Sequence, residues 1–129
     1  MVVDTSVIVD HLRNDPRATS LLAAAVESRG TLVGSVMTRV EVLTGMRPSE
    51  ELPTHRLLRL FEWVPVDRRI ADRAGELGRR YLGSHPGVDP VDLVIAATVE
   101  LLGAELWTRN LKHFPMMPGL REPYADLSP

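Results

Sequence analysis

Short apolar runs alternate with longer stretches of helical periodicity along this chain, and that alternation restricts the fold more than any other feature. Met1 to Val3, Thr31 to Gly34, Glu62 to Val66 and Glu105 to Thr108 each read as a short strand. Val7 to Arg13 reads as a short helix. Asp15-Pro16 then places an N-cap ahead of a proline at the first helical position and opens a second helix, to about Ser28 before Gly30. Val36, Met37, Val40, Leu43 and Thr44 recur at helical spacing ahead of Gly45, and a further helix contains His55 to Phe61, bounded by Pro53. From Asp67, the positions Ile70, Ala71, Ala74, Leu77, Gly78 and Tyr81 form one apolar stripe, with five arginines mostly off it. Ser84 to Val88 is a loop, Asp89-Pro90 starts a helix expected to end near Gly103, and Asn110 to Phe114 is a helical turn. Strands joined through helices in this order form a parallel sheet covered on both faces. A fifth strand after Phe114 would be short, because that tail lacks periodicity.

Three carboxylates interrupt otherwise apolar stretches: Asp4 after Val2-Val3, Glu41 between Val40 and Val42, and Asp92 between Val91 and Leu93. A carboxylate in apolar surroundings is costly to keep ionised unless positive charge sits beside it. Ligands of open parallel sheets bind beyond the carboxyl ends of the strands. Asp4 and Thr108 end two of the expected strands, so they face the same edge. Asp92 lies in the first turn of its helix, where backbone amides favour an anion. Two unit charges ~4 Å apart interact by about 4 kcal/mol at an effective dielectric of ~20, so three such acids resist ionising together. A hard divalent cation reverses that sign, and Mg²⁺ takes oxygen ligands while leaving positions for phosphate and water. Asp89, just before Pro90, suits an N-cap better than a ligand. The four histidines lack metal-ligand spacing and are expected at the surface.

The chain of 129 residues fits one domain and has no cysteine, which excludes disulfides, thiolate metal sites and cysteine nucleophiles. No signal peptide or membrane-length apolar window is present, so a cytoplasmic location is expected. A net charge of -2 argues against bulk attraction to nucleic acid, although fourteen arginines stand against the single Lys112.

The segments Asp4-Thr5-Ser6, Glu41, Asp92-Leu-Val-Ile-Ala-Ala-Thr98 and Thr108-Arg-Asn110-Leu-Lys-His-Phe114 resemble the PIN domain, and more narrowly the VapC-type ribonuclease toxins of bacterial toxin–antitoxin pairs. The resemblance runs from residue 2 to about residue 114 and implies a three-layer α/β/α fold with a parallel sheet of four to five strands, one domain over residues 1–129. It also implies an endoribonuclease dependent on Mg²⁺, with Mn²⁺ as a substitute. Position by position, Asp4, Glu41 and Asp92 match the family's catalytic and metal-binding acids. Thr5, Ser6, Thr108 and Asn110 match positions that hold the cluster or the substrate phosphate. Many relatives carry a fourth acid where this chain has Asn110 or His113.

Implied partners are RNA, a cognate antitoxin whose tail fills the acidic pocket, and a second copy in a homodimer or a toxin–antitoxin hetero-oligomer. Arg13, Arg39, Arg47, Arg109 and Lys112 are candidate RNA contacts. Leu12, Leu57, Leu58, Leu60, Phe61 and Trp63 are groove candidates that equally suit the core. Two other readings compete: a receiver-like domain phosphorylated on Asp4, disfavoured by the placement of the sole lysine, and an inactive PIN-like module that only binds RNA or protein.

Overall fold

A computed structural model describes residues 1–124, so the last five positions of the 1–129 span lie outside the described residues. Strands β1 (Val2–Val3), β2 (Leu32–Ser35), β3 (Phe61–Val64) and β4 (Leu106–Trp107) are all short. They pair in parallel as two two-stranded ladders, β1 with β4 and β2 with β3, rather than as one ladder of four to five strands; β1 lies against β2, giving the spatial order β4–β1–β2–β3. The helices are α1 (Thr5–Leu12), α2 (Pro16–Arg29), α3 (Val36–Gly45), α4 (Glu51–Leu58), α5 (Arg68–Tyr81) and α6 (Pro90–Leu102), with 3₁₀ turns at Pro48–Glu50 and Leu111–His113. No helix among the described residues is long and apolar enough to cross a membrane.

Successive strand residues point to opposite faces, and here both faces are buried. Val2 and Leu106 pack with Ile70, Leu77, Leu93 and Ile95 of α5 and α6. Their neighbours Val3 and Trp107 turn to the other side, with Val7, Ile8, Leu22, Leu57 and Leu58 of α1, α2 and α4. Val2 and Val3 are both fully buried, which makes the sheet the middle of three layers.

Helix starts follow the local chemistry. The Asp15, Ser35, Asp67 and Asp89 side chains each accept a backbone N–H at the start of α2, α3, α5 and α6 respectively. Gly30 and Gly103 end α2 and α6 in the left-handed conformation, at φ +79° and +59°.

Several boundaries differ from expectation; β3, for example, ends at Val64 rather than Val66. Helix α1 starts two residues earlier, directly after Asp4. Helix α4 runs over Glu51–Leu58 with Pro53 inside its first turn, where the missing N–H breaks no helical bond. Phe61 consequently belongs to β3 rather than to the helix before it. No fifth strand occurs among the described residues after Phe114.

Gly34 sits where β2 passes under a stacked pair of rings, Phe61 and Trp63, whose centroids are 4.6 Å apart. A Cβ at position 34 would lie 2.8 Å from Trp63 Cζ3 and 3.1 Å from Phe61 Cδ2. The indole has little room to yield, since its Nε1 donates to the Leu58 carbonyl at 3.1 Å. Gly34→Ala is therefore expected to destabilise the fold by about 1–3 kcal/mol through overpacking. Urea unfolding measures this, and a variant as stable as wild type would contradict the packing described.

Candidate active site

The carboxyl ends of β1 and β4 meet at one sheet edge, and each supplies a polar residue. Asp4 occupies the N-cap position of α1, yet its side chain makes no capping hydrogen bond. It points instead to β4, where the fully buried Thr108 donates its hydroxyl to Asp4 Oδ2 at 2.7 Å. Ser6 donates to the same oxygen at 3.2 Å. The two hydroxyls are in turn fixed by the turn after β4: Arg109 N–H donates to Ser6 Oγ at 2.9 Å, and Asn110 N–H to Thr108 Oγ1 at 3.0 Å.

The other two acids arrive from helices. Glu41, on α3, accepts the Thr5 hydroxyl at 2.7 Å. Asp92, in the first turn of α6, forms a reciprocal capping box with Asp89: Asp92 N–H donates to Asp89 Oδ1 at 3.0 Å, and Asp89 N–H to Asp92 Oδ2 at 3.1 Å. Asp89 is thus a cap, as its position before Pro90 indicates. His113 Nδ1 lies 3.2 Å from Asp92 Oδ2, and with its side chain 42% exposed this histidine is a surface residue beside the site.

Asp4, Thr5, Ser6, Val9, Asp10, Glu41, Asp92, Arg109 and Asn110 line one open cleft of about 390 Å³. All three acids named from the sequence face it. They do not, however, stand as a ready chelate: among the described residues no three carboxylate or imidazole groups are grouped tightly enough to hold an ion as they stand. Each acid is instead held on its own local donor, an arrangement that like-charge repulsion favours. Burial pushes Asp92 up to about 6; the charges of Asp89 and Asp4 add to this, while the Asp89 amide and His113 oppose it.

Of the four polar residues named from the sequence, Thr5, Ser6 and Asn110 line the cleft, while Thr108 is fully buried; Thr108 and Ser6 donate to Asp4 and Thr5 to Glu41. Of the basic candidates only Arg109 lines it; Arg39 stacks on Trp63 instead, 5.4 Å from the ring centroid. Asp10 was not singled out from the sequence. The available signal was its position four residues after Ser6, on the same helix face.

A PIN domain family model matches residues 1–116. Ribonuclease VapC19 of Mycobacterium tuberculosis is 42% identical over 123 residues, covering 95% of this chain and 98% of that relative. Ribonuclease VapC10 of the same organism is 38% identical over 125 residues, covering 97% and 93%. A toxin–antitoxin complex from Klebsiella pneumoniae contains a chain that superposes with a TM-score of 0.76 at 29% identity, over 95% of this chain and 97% of that one.

The raised Asp92 carboxyl has a thermodynamic consequence. The folded protein holds this proton more tightly than the unfolded chain, whose carboxyl titrates near 3.8. The resulting stabilisation is complete below that value and is lost as pH rises through about 6. In EDTA, the melting temperature of wild type relative to Asp92→Asn is therefore expected to fall between pH 4 and 7. A constant difference across that range would show that Asp92 titrates normally.

Proposed function

The chain belongs to the PIN domain family, and on that basis we propose that it is a metal-dependent endoribonuclease, the toxin of a VapBC-type toxin–antitoxin pair. The observation that carries this reading is the convergence on one cleft of Asp4, released from helix capping, with Glu41 and Asp92. Two relatives covered almost end to end are named ribonucleases, and the Klebsiella structure is of a toxin–antitoxin complex.

The donor set suits a hard cation. All three acids offer oxygen, the ligand type that a hard cation takes, and they line one cleft. We assign Asp4 and Asp92 as ligands of Mg²⁺, with Mn²⁺ as a substitute. Such an ion supplies charge neutralisation at the scissile phosphate and a lowered pKa for the attacking water. Glu41, whose carboxylate accepts the Thr5 hydroxyl, would orient the attacking water or hold a second metal. Ser6 and Thr108 hold Asp4 in place, and Asn110 faces the substrate. Attack by water, with the bond to the 3′ oxygen breaking, leaves a 5′-phosphate and a 3′-hydroxyl.

An apolar groove lined by Leu22, Ala23, Val26, Leu57 and Leu60 between α2 and α4 suits an antitoxin segment. Leu60 is 43% exposed there, whereas Leu57, Leu58 and Phe61 are core residues. A homodimer, a cytoplasmic location and a single unit over residues 1–129 complete the proposal.

Purified protein is expected to cut RNA in Mg²⁺ or Mn²⁺ and to stop in EDTA. Asp4→Asn and Asp92→Asn should fall to background while remaining folded, and Glu41→Gln should lose roughly 10²–10⁴-fold in kcat. Mapping of the product ends distinguishes the chemistry. Cyclic 2′,3′-phosphate ends, or equal cleavage by wild type and both aspartate variants, would overturn the assignment; absence of cleavage by all of them would leave an RNA- or protein-binding module.

A further inference from the structure

Beyond the acids, we propose that the groove between α1 and α3 is where the RNA backbone leaves the cleft, and that Arg13, at the end of α1, binds a phosphate there. The proposal rests on the ribonuclease reading above and gives the substrate strand a direction across the protein. It makes Arg13 a substrate-binding residue, remote from the bond being cut.

Helix α1 divides the cleft into two sides. Ser6 and Asp10, four residues apart, share the face toward the turn after β4, where both contact Arg109. That side is taken up by the chain itself: Asp10 Oδ2 accepts the Tyr124 hydroxyl at 2.5 Å and lies 3.4 Å from Arg109 Nη1, with the Tyr124 ring centroid 5.0 Å from Arg109 Cζ. Thr5, Val9 and Arg13, again four apart, share the other face, toward α3, where Thr5 donates to Glu41. Val9 and Glu41 line both the acidic cleft and a second, narrower groove, which continues past Leu12, Arg13, Val42, Gly45, Met46 and Glu50. The open path out of the cleft therefore runs along this seam.

Size and lining select the backbone of the strand rather than its bases. The groove holds about 70 Å³ against about 390 Å³ for the cleft, room for an edge of the ribose–phosphate chain and not for an enclosed base. Val9, Leu12 and Met46 are half-buried and offer apolar walls to ribose carbons. Arg13 is exposed, and among the described residues its side chain has no hydrogen bond, ion pair or ring contact. Seven residues separate it from Ser6, about 10 Å along the helix, so it meets a phosphate further along the strand than the one beside the acids. Its planar donor fork matches two phosphate oxygens. Glu50, the other charged residue beyond the cleft, accepts the Arg47 N–H at 2.9 Å. Gly45 adds no side chain to the groove, and a Cβ there would meet nothing within 4 Å.

The test measures binding of two short, fluorescein-labelled, single-stranded RNAs of unrelated sequence by anisotropy in EDTA across a salt titration. The Asp92→Asn protein serves as the parent, because it is expected not to cut; cleavage by the otherwise unaltered chain is followed separately in Mg²⁺. Adding Arg13→Ala is expected to weaken binding about tenfold and to flatten the slope of log Kd against log salt by about 0.7, one phosphate contact on a single strand. Both RNAs should lose equally, as a backbone contact requires. Arg56→Ala, which removes the same charge from the exposed face of α4, should keep the parent slope. Gly45→Leu changes no charge but fills the groove, so it should flatten the slope too and add nothing in the Arg13→Ala background. Thermal melts check folding, with Gly45→Met in reserve. An unchanged slope in Arg13→Ala, an equal loss in Arg56→Ala, a parent slope in Gly45→Leu, or a loss confined to one sequence each overturns the groove, and cleavage in Mg²⁺ then leaves the nuclease reading standing. An Arg13-dependent slope in a chain that cuts nothing supports the groove and defeats the nuclease reading. A parent that binds no RNA at any salt defeats the groove, with cleavage again deciding the nuclease reading by itself.

Discussion

The contact between Asp4 and Thr108 is the constraint on which the rest of the site depends. The parallel register of β1 and β4 pairs Val3 with Trp107, and Asp4 N–H donates to the Trp107 carbonyl at 2.9 Å. Each residue one step beyond that pair is therefore delivered to the same sheet edge. A carboxylate only 5% exposed needs hydrogen-bond donors, and Thr108 and Ser6 provide them. Those hydroxyls also accept the N–H groups of Asn110 and Arg109, so satisfying one buried acid also shapes the turn that carries Asn110 to the cleft. Structure and chemistry are coupled here: the acid that ends the first strand organises the residues after the last.

The acids are tolerated together because each comes from a different element and brings its own donor. Glu41 has the Thr5 hydroxyl, and Asp92 has the Asp89 amide and the positive end of α6. That local support is incomplete at Asp92, where burial and two neighbouring carboxylates still push the proton affinity up. The site is held open by the fold at some electrostatic cost, and in the proposed nuclease a cation removes that cost.

Much of this arrangement was legible in the chain because its signals are local. A two-valine strand stopping at an acid, aspartate-proline helix starts and the stripe from Ile70 to Tyr81 need only short windows to read. Pro53 was misleading because a proline bounds a helix from outside or occupies its first turn, and the sequence alone does not separate the two. Partner choice was harder. That Thr5 serves Glu41 while Ser6 serves Asp4 depends on how α1 rotates after the strand, and the two residues are adjacent in sequence. His113 is at the surface, as its lack of ligand spacing indicates, but its nearness to Asp92 depends on the turn after β4 and is not readable from spacing. Tyr124 and Asp10 are separated by 114 positions and share no period, so only the folded chain brings them together.

The arginine excess also changes meaning once the contacts are known. Arg73 is spent on Glu76 and Glu100, and Arg17 on Asp15. Arg39 and Arg80 lie over the rings of Trp63 and Tyr81. Those four arginines are engaged within the fold, and the chain as a whole carries a net charge of -2. Bulk attraction therefore contributes little to holding a polyanion, and single-stranded RNA is distinguished mainly by shape and by contacts at particular points. A cleft with several acids repels phosphate until a cation enters it. In the proposed nuclease, substrate affinity and metal loading are then linked, because the charge that repels RNA phosphate also attracts a cation.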